Sequence, residues 1–254
     1  MISINLEKKV ALVTGAGTGI GKAIALKLAE TGATVAVNYN SSKESAEKVV
    51  STIVEQGGKA KAYQCDVANE EAVKAMYIKI EEELGDVDIL INNAGSLVER
   101  CVIENMSTEL WQTIVDVNQK SVFLCSKYAI PKMKDKKEGR IVNVSSIAAR
   151  NGGGIGAVMY ASSKAAVSTF TKGLAKELVG NGILVNAVSP GVITTPFHDR
   201  FTSNEAREQF KNAIPLSREG QPSEVADAVL YLVSPLSTYI VGENIEVNGG
   251  QLMD

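Results

Sequence analysis

Short apolar runs alternate with helix-length amphipathic segments along this chain, and that alternation restricts its fold more than any single motif does. Val10-Ala-Leu-Val-Thr14, Thr34-Val-Ala-Val-Asn38, Lys59–Cys65, Asp88-Ile-Leu-Ile-Asn92, Gly139–Val144, Leu184–Val188 and Asn244–Val247 read as strands. Between them, Ile20–Thr31, Ser45–Gln56, Glu70–Leu84, a long stretch Thr108–Lys134, Tyr160–Val179 and Glu224–Leu232 read as helices. Gly32, Gly57 and Gly85 stand where the first three should stop. Apolar strands joined by helical crossovers are buried on both faces, which predicts a parallel sheet with helices on each side. No linker or low-complexity segment interrupts the pattern. The expectation is an α/β fold: one doubly wound domain over residues 1–254, with an insertion over 193–216 outside the alternation.

Composition excludes several chemistries. The chain has a single histidine, His198, so a zinc site with two or three histidine ligands cannot be built from it. A Ser-His-Asp triad would depend on that one residue, and no Gly-x-Ser-x-Gly elbow is present. Cys65, Cys101 and Cys125 are far apart and form no Cys-x-x-Cys pair, which argues against a disulfide framework and for no metal site. Net charge is −3 and the basic residues are dispersed, so no nucleic-acid partner is expected. The N-terminal stretch lacks the apolar run of a signal peptide, and no segment is apolar for the length of a membrane span. The expected setting is cytoplasmic, with no membrane partner.

The first strand runs into Thr14-Gly-Ala-Gly-Thr-Gly-Ile-Gly21. A glycine-rich strand-to-helix turn lets backbone approach a pyrophosphate at a helix N-terminus. The spacing is Thr-Gly-x-x-x-Gly-x-Gly rather than Gly-x-Gly-x-x-Gly, and Gly15, Gly17, Thr18, Gly19 and Ile20 are its candidate cofactor contacts. An NAD site of this kind holds the ribose 2′-hydroxyl with an acid at the end of the second strand. Here that position reads Asn38-Tyr-Asn-Ser-Ser-Lys43, without a carboxylate before Glu44. Asn38, Tyr39, Asn40 and Ser41, with Ser42 and Lys43 beyond, favour the 2′-phosphate of NADP(H), with NAD(H) as the other option.

Tyr160 and Lys164 stand one helical turn apart and so share a face. A cation about 4 Å from a phenol, at an effective dielectric of about 20, favours the phenolate by roughly 4 kcal/mol. That is enough to bring a tyrosine from about 10 toward neutrality. Alone, such a pair is usually a packed aromatic beside a solvated lysine.

Taken together, Thr14-Gly-x-x-x-Gly-Ile-Gly21, Cys65-Asp-Val67, Asn92-Asn-Ala-Gly95, Asn118, Asn143-Val-Ser-Ser146, Tyr160-x-x-x-Lys164 and Ser189-Pro-Gly-Val-Ile-Thr194 resemble the short-chain dehydrogenases/reductases over essentially the full length. The resemblance implies a seven-stranded Rossmann-type sheet, with residues 1–95 as the dinucleotide-binding half and 96–254 as the catalytic half. It implies that Tyr160 exchanges the proton, that Lys164 lowers the Tyr160 pKa and grips the nicotinamide ribose, and that Ser146 holds the substrate oxygen. Asn118 would support a water chain to Lys164. Asp66 and Val67 would bracket the adenine, and Asn93, Ala94 and Gly95 would line the cofactor. Pro190, Gly191, Val192 and Ile193 would touch the nicotinamide side, with Thr195 near the carboxamide or pyrophosphate. The family also implies a homotetramer built through the helices that hold Asn118 and Tyr160.

Residues 193–216 are the expected substrate lid, where Phe197, Phe201 and Phe210 mix with polar groups and His198 and Arg200 are candidate contacts to a polar or anionic substrate. The pattern is similar to 3-oxoacyl-[acyl-carrier-protein] reductases, which act on acyl thioesters, and to glucose, aldose or polyol 1-dehydrogenases. A cofactor-binding regulator without catalysis is the remaining alternative. The complete set Asn118, Ser146, Tyr160 and Lys164 argues against it, because a sensor needs no proton donor.

Overall fold

The strands form β1 (Val10–Val13), β2 (Thr34–Tyr39), β3 (Lys59–Gln64), β4 (Ile89–Asn92), β5 (Gly139–Val144), β6 (Ile183–Pro190) and β7 (Asn244–Val247). They make one seven-stranded sheet in the order β3-β2-β1-β4-β5-β6-β7, with every neighbouring pair parallel. This structure, a computed structural model, describes residues 4–202 and 204–253. Met1–Ser3 and Asp254 of the expected domain, and Ser203 of the expected lid, lie outside the described residues.

Ten helices are described: α1 (Gly19–Glu30), α2 (Lys43–Glu55), α3 (Glu70–Glu83), α4 (Thr108–Val115), α5 (Ser121–Lys136), α6 (Ala148–Asn151), α7 (Val158–Leu178), α8 (Pro196–Phe201), α9 (Asn204–Ala213) and α10 (Pro222–Val233). Successive strand residues point to opposite faces. Ala11 and Val13 therefore join Ile24 and Leu28 of α1, Ile53 of α2 and Val229 of α10 on one side. On the other, Val10 and Leu12 meet Tyr77 and Ile80 of α3, Leu124 of α5 and Leu178 of α7. Each such fully buried side chain contributes roughly 1.5–3 kcal/mol. None of the described helices is long and apolar enough to cross a membrane.

Two differences from the expected elements bear on the site. The long helix over Thr108–Lys134 is two helices, α4 and α5, joined by a π-helical turn, Asp116–Lys120, with Asn118 at its centre. The lid folds as two separate helices, α8 and α9, and a parallel bridge between Ile193 and Gly220 anchors its base.

The strand order reverses between β1 and β4: β2 and β3 lie to one side of β1, and β4 to β7 to the other. At such a reversal the loops leaving the strands part, and a crevice opens at their carboxyl ends.

Candidate active site

A cavity of about 610 Å³ occupies that crevice. One wall is the turn from β1 to α1. Gly15 adopts φ +62, and its N–H donates to Asn38 Oδ1 at 3.1 Å. A Cβ there would be strained by the positive φ and would sit tightly against Ala94 Cα at 3.1 Å, so glycine suits the position. Asn93 clamps the turn from the β4 side by donating its amide to the Thr14 and Gly15 carbonyls at 2.9 and 3.2 Å. No side chain caps the start of α1 at Thr18. Thr18, Gly19 and Ile20 line the cavity, so the helix opens toward it with the positive end of its dipole.

The opposite wall is built where β5 meets α7. Val144, the last residue of β5, accepts a 2.8 Å hydrogen bond from Lys164 Nζ. Ser145 turns away from the cavity centre, donating to the Lys164 carbonyl at 3.0 Å and sharing a 2.7 Å bond with Ser168. Ser146 faces Tyr160 instead. Neighbouring serines thus divide the work: one pins the helix, and the other reaches the phenol. Gly95 closes the arrangement from below, since a Cβ there would meet Asn118 Oδ1 at 2.8 Å and Lys164 Nζ at 3.0 Å.

Burial shapes the titration of this wall. Desolvation pushes the Tyr160 phenol above its ordinary value of 10.0, with a smaller opposing pull from its hydrogen bond to Ser146. Burial also lowers the Lys164 ammonium to about 8. The sequence expectation that Lys164 depresses Tyr160 therefore needs correction. The lysine Nζ lies 5.9 Å from the Tyr160 ring centroid and is turned to the Val144 carbonyl, so desolvation of the phenol outweighs it. The chemical consequence is a tyrosine that keeps its proton at neutral pH and can deliver it.

The structure sorts the remaining expectations. Tyr39, Asn40, Ser41, Asn93, Ala94, Gly95, Pro190, Gly191, Val192, Ile193 and Thr195 all line the cavity. Asn38 does not. Its buried amide donates to the carbonyls of Tyr39, Tyr63 and Cys65 and accepts from Gly15, so it braces the turn from behind, away from the cavity. Gly17 lies off the cavity, packed toward Ser42, and Ser42 itself lines it. Asp66 and Val67 are outside the lining; Asp66 accepts from the Ala68 N–H at 2.9 Å. Asn118 lies behind the wall, fully buried, holding both backbone groups of Ser96 and the Ile114 carbonyl.

From the lid, Phe197 packs on Tyr160 at 5.7 Å between ring centroids. His198 lines the cavity, and burial holds it below its ordinary pKa. Arg200 does not line the cavity; its guanidinium sits 5.0 Å over the Phe201 ring. Arg207 ties the lid down with two bonds to Glu219 at 2.8 and 2.6 Å and one to Asp199 at 2.7 Å. Arg100 and Gln251, in irregular segments, and Asn151, at the end of α6, also line the cavity, and no sequence motif marks them.

A serine, a tyrosine and a lysine on one wall of a glycine-turned crevice make a constellation for carbonyl chemistry. A family model described as Enoyl-(Acyl carrier protein) reductase matches residues 15–251. A 3-oxoacyl-[acyl-carrier-protein] reductase, FabG, of Staphylococcus aureus is 43% identical over 245 residues, covering 96% of this chain and 98% of the relative. The chain belongs to the short-chain dehydrogenase/reductase family. An uncharacterized oxidoreductase of Escherichia coli, YgfF, is 40% identical over 245 residues, covering 95% and 99% of the two chains. Among solved structures, a 7α-hydroxysteroid dehydrogenase complexed with NADH and 7-oxo glycochenodeoxycholic acid superposes with a TM-score of 0.93 at 35% identity, covering 98% of this chain and 96% of that one. Like other members of this short-chain dehydrogenase/reductase family, the protein is an oxidoreductase acting between carbonyl and alcohol.

The crevice suits a nicotinamide dinucleotide on its own observations. Gly15 brings bare backbone to the surface, and α1 points its N-terminus inward. Among the described residues, no Asp or Glu lines the cavity, so nothing there repels a polyanionic ligand, and the Lys164 ammonium attracts one.

Proposed function

We propose that this chain is an NADPH-dependent reductase of 3-oxoacyl thioesters. The observation that carries the reading is one cavity in which Ser146, Tyr160 and Lys164 stand opposite the glycine turn, with no carboxylate among the described lining residues. The 43%-identical relative named as a 3-oxoacyl-[acyl-carrier-protein] reductase supports the choice of substrate.

When bound, the nicotinamide supplies the hydride; the protein does the rest. Negative charge grows on the substrate oxygen during reduction and must be stabilised and then protonated. Ser146 positions that oxygen by hydrogen bonding, and Tyr160, protonated because it is buried, donates the proton. Lys164, held by the Val144 carbonyl, supplies positive charge beside the phenol and a donor to the nicotinamide ribose. Asn118 fixes the Ser96 backbone and the Gly95 approach behind Lys164, and supports a water chain to it. Gly15, Thr18, Gly19 and Ile20 would hold the pyrophosphate. Tyr39, Asn40, Ser41 and Ser42 would receive the 2′-phosphate, where an acid would repel it. Phe197 covers Tyr160 and keeps water from the reacting atoms.

Residues 1–95 and 96–254 work as one cytoplasmic domain in this reading. The chain assembles as a homotetramer, with Trp111 on α4 and Phe123 on α5 as half-exposed apolar groups for the assembly.

A substrate panel followed at the nicotinamide absorbance tests the reading. Acetoacetyl thioesters with NADPH should be turned over with a kcat/KM far above that for glucose and other aldoses or polyols with NADP. The reverse order would replace the reductase with an aldose or polyol dehydrogenase. Cofactor binding without turnover of either class would indicate a regulator.

A further inference from the structure

Arg100 has no part in the chemistry above, yet it lines the same cavity at an exposed edge. Its Nε donates to the Phe201 carbonyl at 2.8 Å and its Nη1 to the Ile155 carbonyl at 2.9 Å. Phe201 ends the first lid helix, and Ile155 belongs to the glycine-rich loop before α7, so the guanidinium spans the gap between the two segments that flank the substrate. The adjoining Cys101 N–H reinforces this side by donating to the Gly156 carbonyl. An arginine has five N–H groups, and with two used three remain. Neutral carbonyls orient the guanidinium without neutralising it.

The other cations nearby are engaged elsewhere. Arg207 is paired with Glu219 and Asp199, Arg200 rests on the Phe201 ring, and Lys164 is committed to Val144 beside Tyr160. Burial keeps His198 toward its neutral form. Among the described residues no carboxylate pairs with Arg100, and none lines the cavity it faces. The lining of the same cavity also includes the apolar Leu97, Val192, Phe197 and Phe210. A ligand suited to this lining has a carbonyl for Tyr160, an apolar stretch and an anionic group.

We propose that Arg100 is a specificity residue that binds an anionic group, carboxylate or phosphate, carried by the substrate away from its reacting carbonyl. The assignment rests on the ketone-reductase reading of the same cavity. A planar fork already fixed by two backbone carbonyls can engage an oxyanion with little further ordering. A neutral substrate would gain nothing from it.

Steady-state kinetics with NADPH on three ketones tests this: acetoacetyl-coenzyme A, which carries phosphates, acetoacetate, which carries a carboxylate, and ethyl acetoacetate, which is neutral. Arg100→Gln should lower kcat/KM for at least one charged ketone by about tenfold or more while leaving ethyl acetoacetate within about twofold. Arg100→Lys, which keeps the charge but not the fork, should retain only part of the preference for that charged ketone. A loss confined to acetoacetyl-coenzyme A identifies phosphate as the group bound, and one confined to acetoacetate identifies carboxylate. An equal loss on all three overturns the proposal, because Arg100 would then only tie the lid to the loop; no loss on any overturns it as well. Absence of turnover of all three by the wild-type enzyme refutes the reductase reading, and this assignment falls with it.

Discussion

At the residue scale, the site depends on where burial places each polar group. Lys164 shows it most directly. Its charge is costly in the wall, and its pKa falls to about 8 as a result. The group is cationic below that value and neutral above it. Cofactor capture and proton delivery that rely on the ammonium should therefore weaken as pH rises through about 8. The kcat/KM for NADPH, which reports the free enzyme, should show this alkaline limb. A profile flat to the pH at which tyrosines ordinarily ionise would remove Lys164 from the role. Tyr160, Lys164 and Ser146 were legible in the sequence because their motifs are local and the chemistry needs those residue types. The role of Asn38 was not. Its position at the end of β2 is right for a ribose contact, but its amide is spent on one N–H and three carbonyls, and only the fold brings those together. Arg100 was hidden for the same reason, since its partners Phe201 and Ile155 are distant in sequence.

At the scale of elements, the strands and most helices could be read because apolar periodicity is written locally. The π-helical turn at Asp116–Lys120 could not: Asp-Val-Asn-Gln-Lys has no breaker, and the extra residue is accommodated by the bonds of Asn118 to Ile114 and Ser96. α10 offers a test of local signals. Gln221 and Glu224 form a reciprocal cap at its start, and Arg218 grips the same carboxylate at 2.6 and 2.8 Å. Arg218 first, and the Gln221 backbone second, hold Glu224 down at about 2, against an ordinary 4.5. Glu224→Ala should cost about 1 kcal/mol, seen as a lower urea midpoint with an unchanged slope. A depressed carboxylate stabilises the fold above its unfolded pKa and loses that contribution as pH falls toward its folded one. The gap between wild type and variant should thus be full at neutral pH and should close between 4.5 and about 2. A gap that persists in acid would mean that the charge contributes nothing.

At the scale of the whole molecule, the strand reversal between β1 and β4 puts the glycine turn, the β5 end and the lid around one crevice. Among the described residues no carboxylate lines it, which is the ground for the proposed NADPH preference without a dedicated arginine in the glycine turn. NADPH should bind more tightly than NADH in a fluorescence titration, and tighter NADH binding would overturn the reading of Asn40, Ser41 and Ser42. The central claim is that the fold assembles this crevice so that one buried phenol delivers the proton. Tyr160→Phe removes one oxygen and leaves the ring against Phe197. Turnover of acetoacetyl thioester by this variant, measured beside its NADPH affinity, is the most direct test. Nearly all turnover should be lost with NADPH binding close to wild type; turnover near the wild-type rate would rule out Tyr160 as the proton donor.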